Sequence, residues 1–195
     1  MELHHEKQKY RTPEPDILAE MYETTVETMN SHGYHHYEVS SYAKNQSSES
    51  SHNKNYWFGS DYIGIGPGAH GRFTDPSTEK RNSTIRIREP NRWMESCKEI
   101  GHGTAKCTEI SLEETKQETV MLGLRTKYGI SNSRFTKFSN GQSLLDYLDL
   151  DLIKLHENSG LLKISQTNDE DKDITILPTE NGLKVIDSIL ADIIP

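Results

Sequence analysis

Residues 51–73, SHNKNYWFGSDYIGIGPGAHGRF, bring two histidines, five aromatic residues and five glycines into one run. Neutral imidazole ligates iron and other metals, so His52 is a candidate ligand. Tyr56 and Trp57 are large flat surfaces with polar handles, suited to stacking on an aromatic ring system. The same residues fit a plainer role in which Tyr56 and Trp57 anchor a loop to the core and His52 caps it, and taken alone they favour that role. The run ends in a full GxGxxG string, GPGAHG, with Gly66, Gly68 and Gly71 in the glycine places. A dinucleotide phosphate loop would use the amide that Pro67 lacks, and would open a helix. RFTDPSTEK carries no helical pattern, so that reading is rejected. What remains is a turn at a strand end, whose backbone can come close to a flat ligand but needs none. The other histidines, His4 and His5 in HHE and His32, His35 and His36 in HGYHH, have no zinc-motif spacing and no cysteine partner. They read as solvated.

The elements that must position these residues follow from periodicity. Leu18, Met21, Tyr22, Val26 and Met29 recur at helical spacing after a proline-marked entry, with Gly33 as the stop. YHHYEVSSYA alternates as one strand, NQSSESSHN reads as a polar loop, DYIGIG as a short strand and GPGAHG as a turn. A helix followed by two strands suggests the tail of an α/β unit. TDPSTEKRNST reads as a polar connector and marks a boundary: 1–75, a connector at 76–84, and 85–195. Beyond it lie a short strand, then a helix with Trp93, Met94, Cys97 and Ile100. A capping box at Ser111–Glu114 opens a helix that ends near Gly129. Ser131 caps a short helix. One helix carries Leu145, Leu148, Leu152 and Leu155. Two strands, LLKI and ITIL, flank the acidic tip NDEDKD, and a last helix opens at Thr179. That order is mostly helical and winged-helix-like.

Composition narrows the function. Of 195 residues, 22 are basic and 30 acidic, a net charge of -8 that disfavours broad attraction to nucleic acid or anionic membranes. Arg125, Lys127 and Arg134 are basic, but the Asp-rich helix and the NDEDKD tip would repel phosphate. No apolar run approaches the ~20 residues of a membrane span. MELHHEKQKY is neither a signal peptide nor a good transit peptide. Cys97 and Cys107 match no zinc or iron–sulfur spacing and fit a reducing compartment.

PEPDILAEMY, GYHHYEVSSYA, HNKNYW, DYIGIGPGAHGRF, MLGLRTKYGIS and LPTENGLKVIDSIL, in this order, resemble the C-terminal part of HemW. HemW is a radical S-adenosylmethionine relative of the oxygen-independent coproporphyrinogen oxidase HemN. GAHGRF and RIREPNRWM resemble its mitochondrial animal branch. The resemblance implies an α/β fold, the last elements of a partial radical-SAM (β/α) barrel, followed by the HemN C-terminal domain. It implies heme as cofactor and heme-receiving proteins as partners. HNxxYW is the family's proposed heme motif, intact as His52, Asn53, Tyr56 and Trp57, and this turns the balance toward a heme site with His52 on the iron. By analogy with HemN, Ala69 and His70 would edge S-adenosylmethionine. The family's CxxxCxxC motif for a 4Fe-4S cluster is absent, so this chain alone is expected neither to hold the cluster nor to cleave S-adenosylmethionine. It reads as a truncated gene model, a short isoform or a fragment. Mitochondrial placement follows from the resemblance, otherwise cytoplasmic. The alternatives are the substrate-side half of a coproporphyrinogen dehydrogenase-like enzyme and a winged-helix protein-interaction module, in either case with no nucleic acid and no integral membrane segment.

Overall fold

The structure is a computed structural model that describes residues 12–166 and 173–195. His4, His5 and most of the NDEDKD tip lie outside the described residues. Helix α1 (Pro15–Ser31) has proline in its first turn, as expected, and Gly33 follows its end with φ of 75°. Its apolar face is covered over only half its length. Val26 is buried, whereas Ile17, Leu18 and Met21 stay exposed.

YHHYEVSSYA is not one strand. It folds back as a hairpin of β1 (His35–Glu38) and β2 (Ser41–Ala43), because the Glu38 carboxylate accepts from the Ser40 amide at the turn. The polar stretch after it is also more ordered than its composition suggests. Asn45 caps a short 3-10 turn at Gln46–Ser48, and Ser50 then caps helix α2 (Ser51–Trp57). HNKNYW therefore sits on a helix and not on a loop.

DYIGIG forms no strand of its own. One antiparallel bridge joins Tyr62 to Arg72, and the segment leans on β3 (His70–Thr74). The close approach needs glycine, since a Cβ on Gly64 would stand 2.1 Å from the His70 carbonyl oxygen. The polar segment expected as a connector is a hairpin turn and most of β4 (Arg81–Arg86), paired with β3 from His70–Ile85 to Thr74–Arg81. The turn is closed locally, with Asp75 accepting from the Ser77 amide and hydroxyl. Helix α3 (Pro90–Ile100) leads to β5 (Thr104–Glu109), a strand that periodicity did not reveal, giving the sheet order β3-β4-β5. Trp93 lies against Gly103, where a Cβ would come within 2.2 Å of the indole.

The capping box opens α4 (Leu112–Leu124) as expected, with the Ser111 hydroxyl accepting from the Glu114 amide. Then come β6 (Ile130–Ser131), α5 (Asn132–Phe138), α6 (Leu144–Tyr147) and α7 (Leu150–Asn158). The single helix read over 143–158 is two, because Leu148 is extended and Asp149 caps a new start. Strands β7 (Leu162–Gln166) and β8 (Ile174–Pro178) pair antiparallel, and β6 completes a sheet of order β6-β8-β7. The last helix likewise divides at Val185 into α8 (Glu180–Lys184) and α9 (Ile186–Ile193).

Every strand pairing among the described residues is antiparallel, within a mixed α/β fold. The main core lies in the second half. Val120, Leu124, Ile130, Phe135, Leu144, Ile153, Leu162, Ile176 and the α9 isoleucines form one cluster. Among the described residues before 110, the buried apolar side chains are Val26, Tyr37 and Ala43. The first half is therefore held largely by polar and aromatic contacts.

Gly129 links α4 to β6 with φ of 66°, and a Cβ there would lie 2.0 Å from the Ile176 carbonyl oxygen. Gly129→Ala is expected to cost about 2 kcal/mol or more, from the left-handed backbone and the displaced β8 strand. Urea denaturation followed by circular dichroism measures it.

Candidate functional site

Helix α2 has two kinds of face. His52 and Tyr56 are one turn apart and both exposed, and their rings meet edge to face at 4.7 Å. Tyr56 in turn meets Tyr62 at 4.5 Å and 85°, so His52, Tyr56 and Tyr62 form a short aromatic ladder. Neither ring nitrogen of His52 is hydrogen-bonded to a described residue, which leaves the imidazole available to a ligand.

Asn53 and Trp57 lie on the adjacent face and are half-buried. The Asn53 amide nitrogen donates to Glu38 and to the Ser41 hydroxyl, each at 3.4 Å. The Ser50 amide donates to the Tyr37 hydroxyl at 3.3 Å, so the β1–β2 hairpin holds the start of the helix. The four motif residues thus divide by geometry: His52 and Tyr56 point outward, while Asn53 ties the helix down and Trp57 joins it to the C-terminal half.

Beneath α2 sits Glu49, whose side chain is 1% exposed. Lys127 Nζ lies 2.6 Å from Oε1, an ion-pair contact out of hydrogen-bond alignment. Lys54 Nζ lies 3.2 Å from Oε2, and the Tyr128 hydroxyl donates to the same oxygen at 2.5 Å. Burial opposes ionisation of Glu49, but Lys127, Tyr128 and Lys54 together outweigh it and hold the carboxyl below the usual range. Burial, then the Glu49 bond, push the Tyr128 hydroxyl up to about 12.

At the other end, Arg134 Nη2 donates to the Trp57 carbonyl at 2.5 Å, and its guanidinium lies 5.4 Å from the centre of the Phe58 ring. Burial lowers the Arg134 pKa to about 10, still cationic at neutral pH. Arg125 pairs with Asp187 at 2.8 Å. Arg125, Lys127 and Arg134, the basic residues of the winged-helix reading, each have a partner within the chain.

Ala69 and His70 belong to a different arrangement. The Ala69 carbonyl accepts from Arg86, and exposed His70 begins β3 opposite Ile85. Gly66 and Gly68 take φ of 106° and 71°, and Gly64 and Gly71 pack against backbone and Thr84. The glycine string is thus accounted for by the fold of its own loop. No hydrogen bond or ring contact among the described residues joins Ala69 or His70 to α2. His32 bonds back to the Thr28 carbonyl, His35 is exposed and His36 is buried. No group of three His, Cys, Asp or Glu among the described residues could hold a metal ion. Cys97 and Cys107 are free thiols. Glu49, Glu38 and Tyr62 escaped the reading of the sequence as site residues, and Arg134 entered it only as a basic residue. Glu49 lies in a serine-rich stretch, and nothing in its neighbours marks it as buried.

The fold is that of a HemN-like mixed α/β protein. Escherichia coli coproporphyrinogen III oxidase (HemN), a radical SAM enzyme, superimposes with a TM-score of 0.56 over 92% of this chain and 41% of its own, at 15% identity. No family model matches the sequence. The mouse mitochondrial radical S-adenosyl methionine domain-containing protein 1 is 34% identical over 186 residues, which is 94% of this chain and 40% of the mouse protein. The Bacillus subtilis heme chaperone HemW is 33% identical over 162 residues, 83% of this chain and 40% of its own length. The chain is a homologue of the HemW-like radical S-adenosylmethionine proteins, and it spans about 40% of the length of these relatives.

Two substitutions test the geometry. Glu49→Ala removes the buried charge, leaves part-exposed Lys54 and Lys127 to solvent and takes the acceptor from the Tyr128 hydroxyl, and is expected to cost about 2 kcal/mol. Because the folded carboxyl titrates low, its contribution is present above the ordinary glutamate value of 4.5 and is lost as pH falls through the folded value. Denaturation of both proteins across that range reads the difference. His36 is 8% exposed, stacks on Tyr42 at 4.7 Å, meets Tyr22 edge-on, and leaves Nε2 without a partner. Burial lowers its pKa, against smaller opposing effects of the Val39 and Glu38 backbone, the Glu38 carboxylate and Glu180. The unfolded chain then takes up the proton first, so stability falls as pH drops below 6.5. His36→Phe is expected to flatten that fall, measured as urea midpoints from about pH 7.5 to about pH 5.5.

Proposed function

We propose that this chain is the heme-presenting part of a HemW-like heme chaperone. The observation that carries the reading is the outward face of α2: an unbonded imidazole, His52, one turn from an exposed ring, Tyr56, on a helix fixed from behind. The heme name of the HemW relatives supports it. Heme would supply an iron that takes a neutral imidazole nitrogen as ligand. The residues fit that group: His52 would ligate the iron and Tyr56 would flank the porphyrin, with the exposed part of half-buried Trp57 at its edge. Asn53 would act indirectly, by holding the helix. Heme would pass from here to heme-receiving proteins.

In the same reading, the segment to about residue 75 supplies the last elements of a radical-SAM barrel. Residues from about 85 form a winged-helix-like C-terminal domain, and the β3–β4 hairpin joins the two. Ala69 and His70 would border S-adenosylmethionine in a full-length protein. A 4Fe-4S cluster does not fit this chain, whose only cysteines are Cys97 and Cys107. The mitochondrial names of the animal relatives favour a mitochondrial site of action. A second reading, the substrate-side half of a HemN-like enzyme, has the fold in its favour. Anaerobic turnover of coproporphyrinogen by a full-length parent would support it.

Hemin titration followed at the Soret band tests the main reading. The parent is expected to give a saturable, shifted band. His52→Ala should weaken binding by about tenfold or more and change the ferric spectrum. Equal binding by His52→Ala would remove His52 from the iron.

A further inference from the structure

We infer that Arg134 is a positioning residue for the His52–Tyr56 face, acting through the C-terminus of α2; this inference rests on the proposed heme site.

The argument begins with the carbonyls that end a helix. The last turn of an α-helix has no amides of its own to satisfy its carbonyl oxygens. At the end of α2 the chain's own backbone serves three of them. The Lys54 carbonyl accepts from Phe58, the Asn55 carbonyl from Ser60 and the Tyr56 carbonyl from Gly59, at 2.8 to 3.0 Å. The fourth, that of Trp57, accepts from Arg134. A guanidinium there also carries the charge that favours a helix C-terminus.

The placement has a cost. Arg134 is drawn into the protein far enough to lower its pKa, and its Nε is buried with no partner. An unsatisfied buried N–H is unfavourable. That cost is offset where Arg134 grips α2, at the Trp57 carbonyl and over the Phe58 ring. Arg81 grips the next turn of chain, with Nη2 donating to the Gly59 carbonyl at 3.0 Å. Arg134 stands on α5, whose Phe135 is buried in the main core. The helix is therefore referenced to the best-packed part of the molecule, although its first turn is tied to the small hairpin. Tyr56 directly precedes the gripped Trp57, and its ring meets His52. Loss of the grip would let the outward face tilt while the core stays folded.

The test compares the parent, Arg134→Ala and Arg134→Lys in hemin titration and in backbone hydrogen exchange of α2. Arg134→Ala is expected to weaken hemin about tenfold, in the range typical of partners that orient a metal ligand, and to displace the ferric Soret band. Arg134→Lys should recover part of both, since a lysine can reach the carbonyl but not fork over Phe58. Exchange at Phe58, Gly59 and Ser60 should quicken in Arg134→Ala ahead of the core. If Arg134→Ala binds hemin as the parent does, with the same Soret band, the inference is overturned even where its melting temperature has dropped. Should Arg134→Ala not fold, Arg134→Lys decides by the same spectrum. If the parent itself binds no hemin, the heme reading fails, and exchange then judges the grip alone: unchanged α2 exchange overturns it, and faster exchange supports it.

Discussion

A carboxylate that is almost wholly out of solvent must be given its counter-charges by the protein, and Glu49 is the point on which the first half of this fold depends. Burial alone would drive its proton back on. Lys127, Tyr128 and Lys54 prevent that, the first two from the turn between α4 and β6 and the third from α2 itself. The result is a junction between the helix that carries the histidine and the helix that carries much of the core. Such a pair is a poor source of net stability compared with apolar packing, but it is strict about geometry. That strictness fixes the orientation of α2, whose His52 and Tyr56 are exposed.

The same logic explains why α2 is a helix at all. Seven residues are too few to be stable by propensity. Ser50 caps the first turn, Asn53 reaches the hairpin, and Arg134 takes the final carbonyl. Contacts at the cap, the back and the exit replace the apolar stripe that a longer helix would bury. Of the motif, the exposed pair His52 and Tyr56 make ring contacts with each other and, through Tyr56, with Tyr62, none of them a member of the main cluster.

How much of this was legible in the sequence depended on the kind of signal. Caps read well, because they are local: Ser111 with Glu114 and Ser131 each open the expected helices. Helix breaks did not. Leu148 and Val185 sit in leucine- and isoleucine-rich patterns that run on through the break, and at Leu148 only the Asp149 cap marks the new start. The strand read over YHHYEVSSYA became a hairpin through one side-chain bond from Glu38, which alternation cannot reveal. Strand β5 was missed because TAKCTE is mostly exposed and lacks an apolar period. At the site, the motif supplied the residue types, whereas their division into outward and inward pairs is a property of the helix. Glu49 and Arg134 are long-range partners, and no local pattern announces them.

The distribution of buried apolar side chains then sets how the halves relate. Fourteen residues make the main cluster, all between Val120 and Ile193. The earlier elements bury few apolar side chains, and the exposed Ile17, Leu18, Met21, Ile63 and Ile65 add nothing to a core. Besides the ion pairs and arginine contacts, the hairpin is held near the cluster by backbone bonds of Tyr37 and Val39 to the turn after α4 and by Val39 against the core, with little further apolar burial. Local opening should therefore begin in the first half, with free energies well below that of the core. A site borne on such a segment gains mobility from it, and the Glu49 and Arg134 contacts limit that mobility to motion about a fixed exit. Under the proposed heme reading, an open histidine face on a weakly packed helix pinned to a strong core would suit taking up and releasing a bulky flat ligand better than enclosing one.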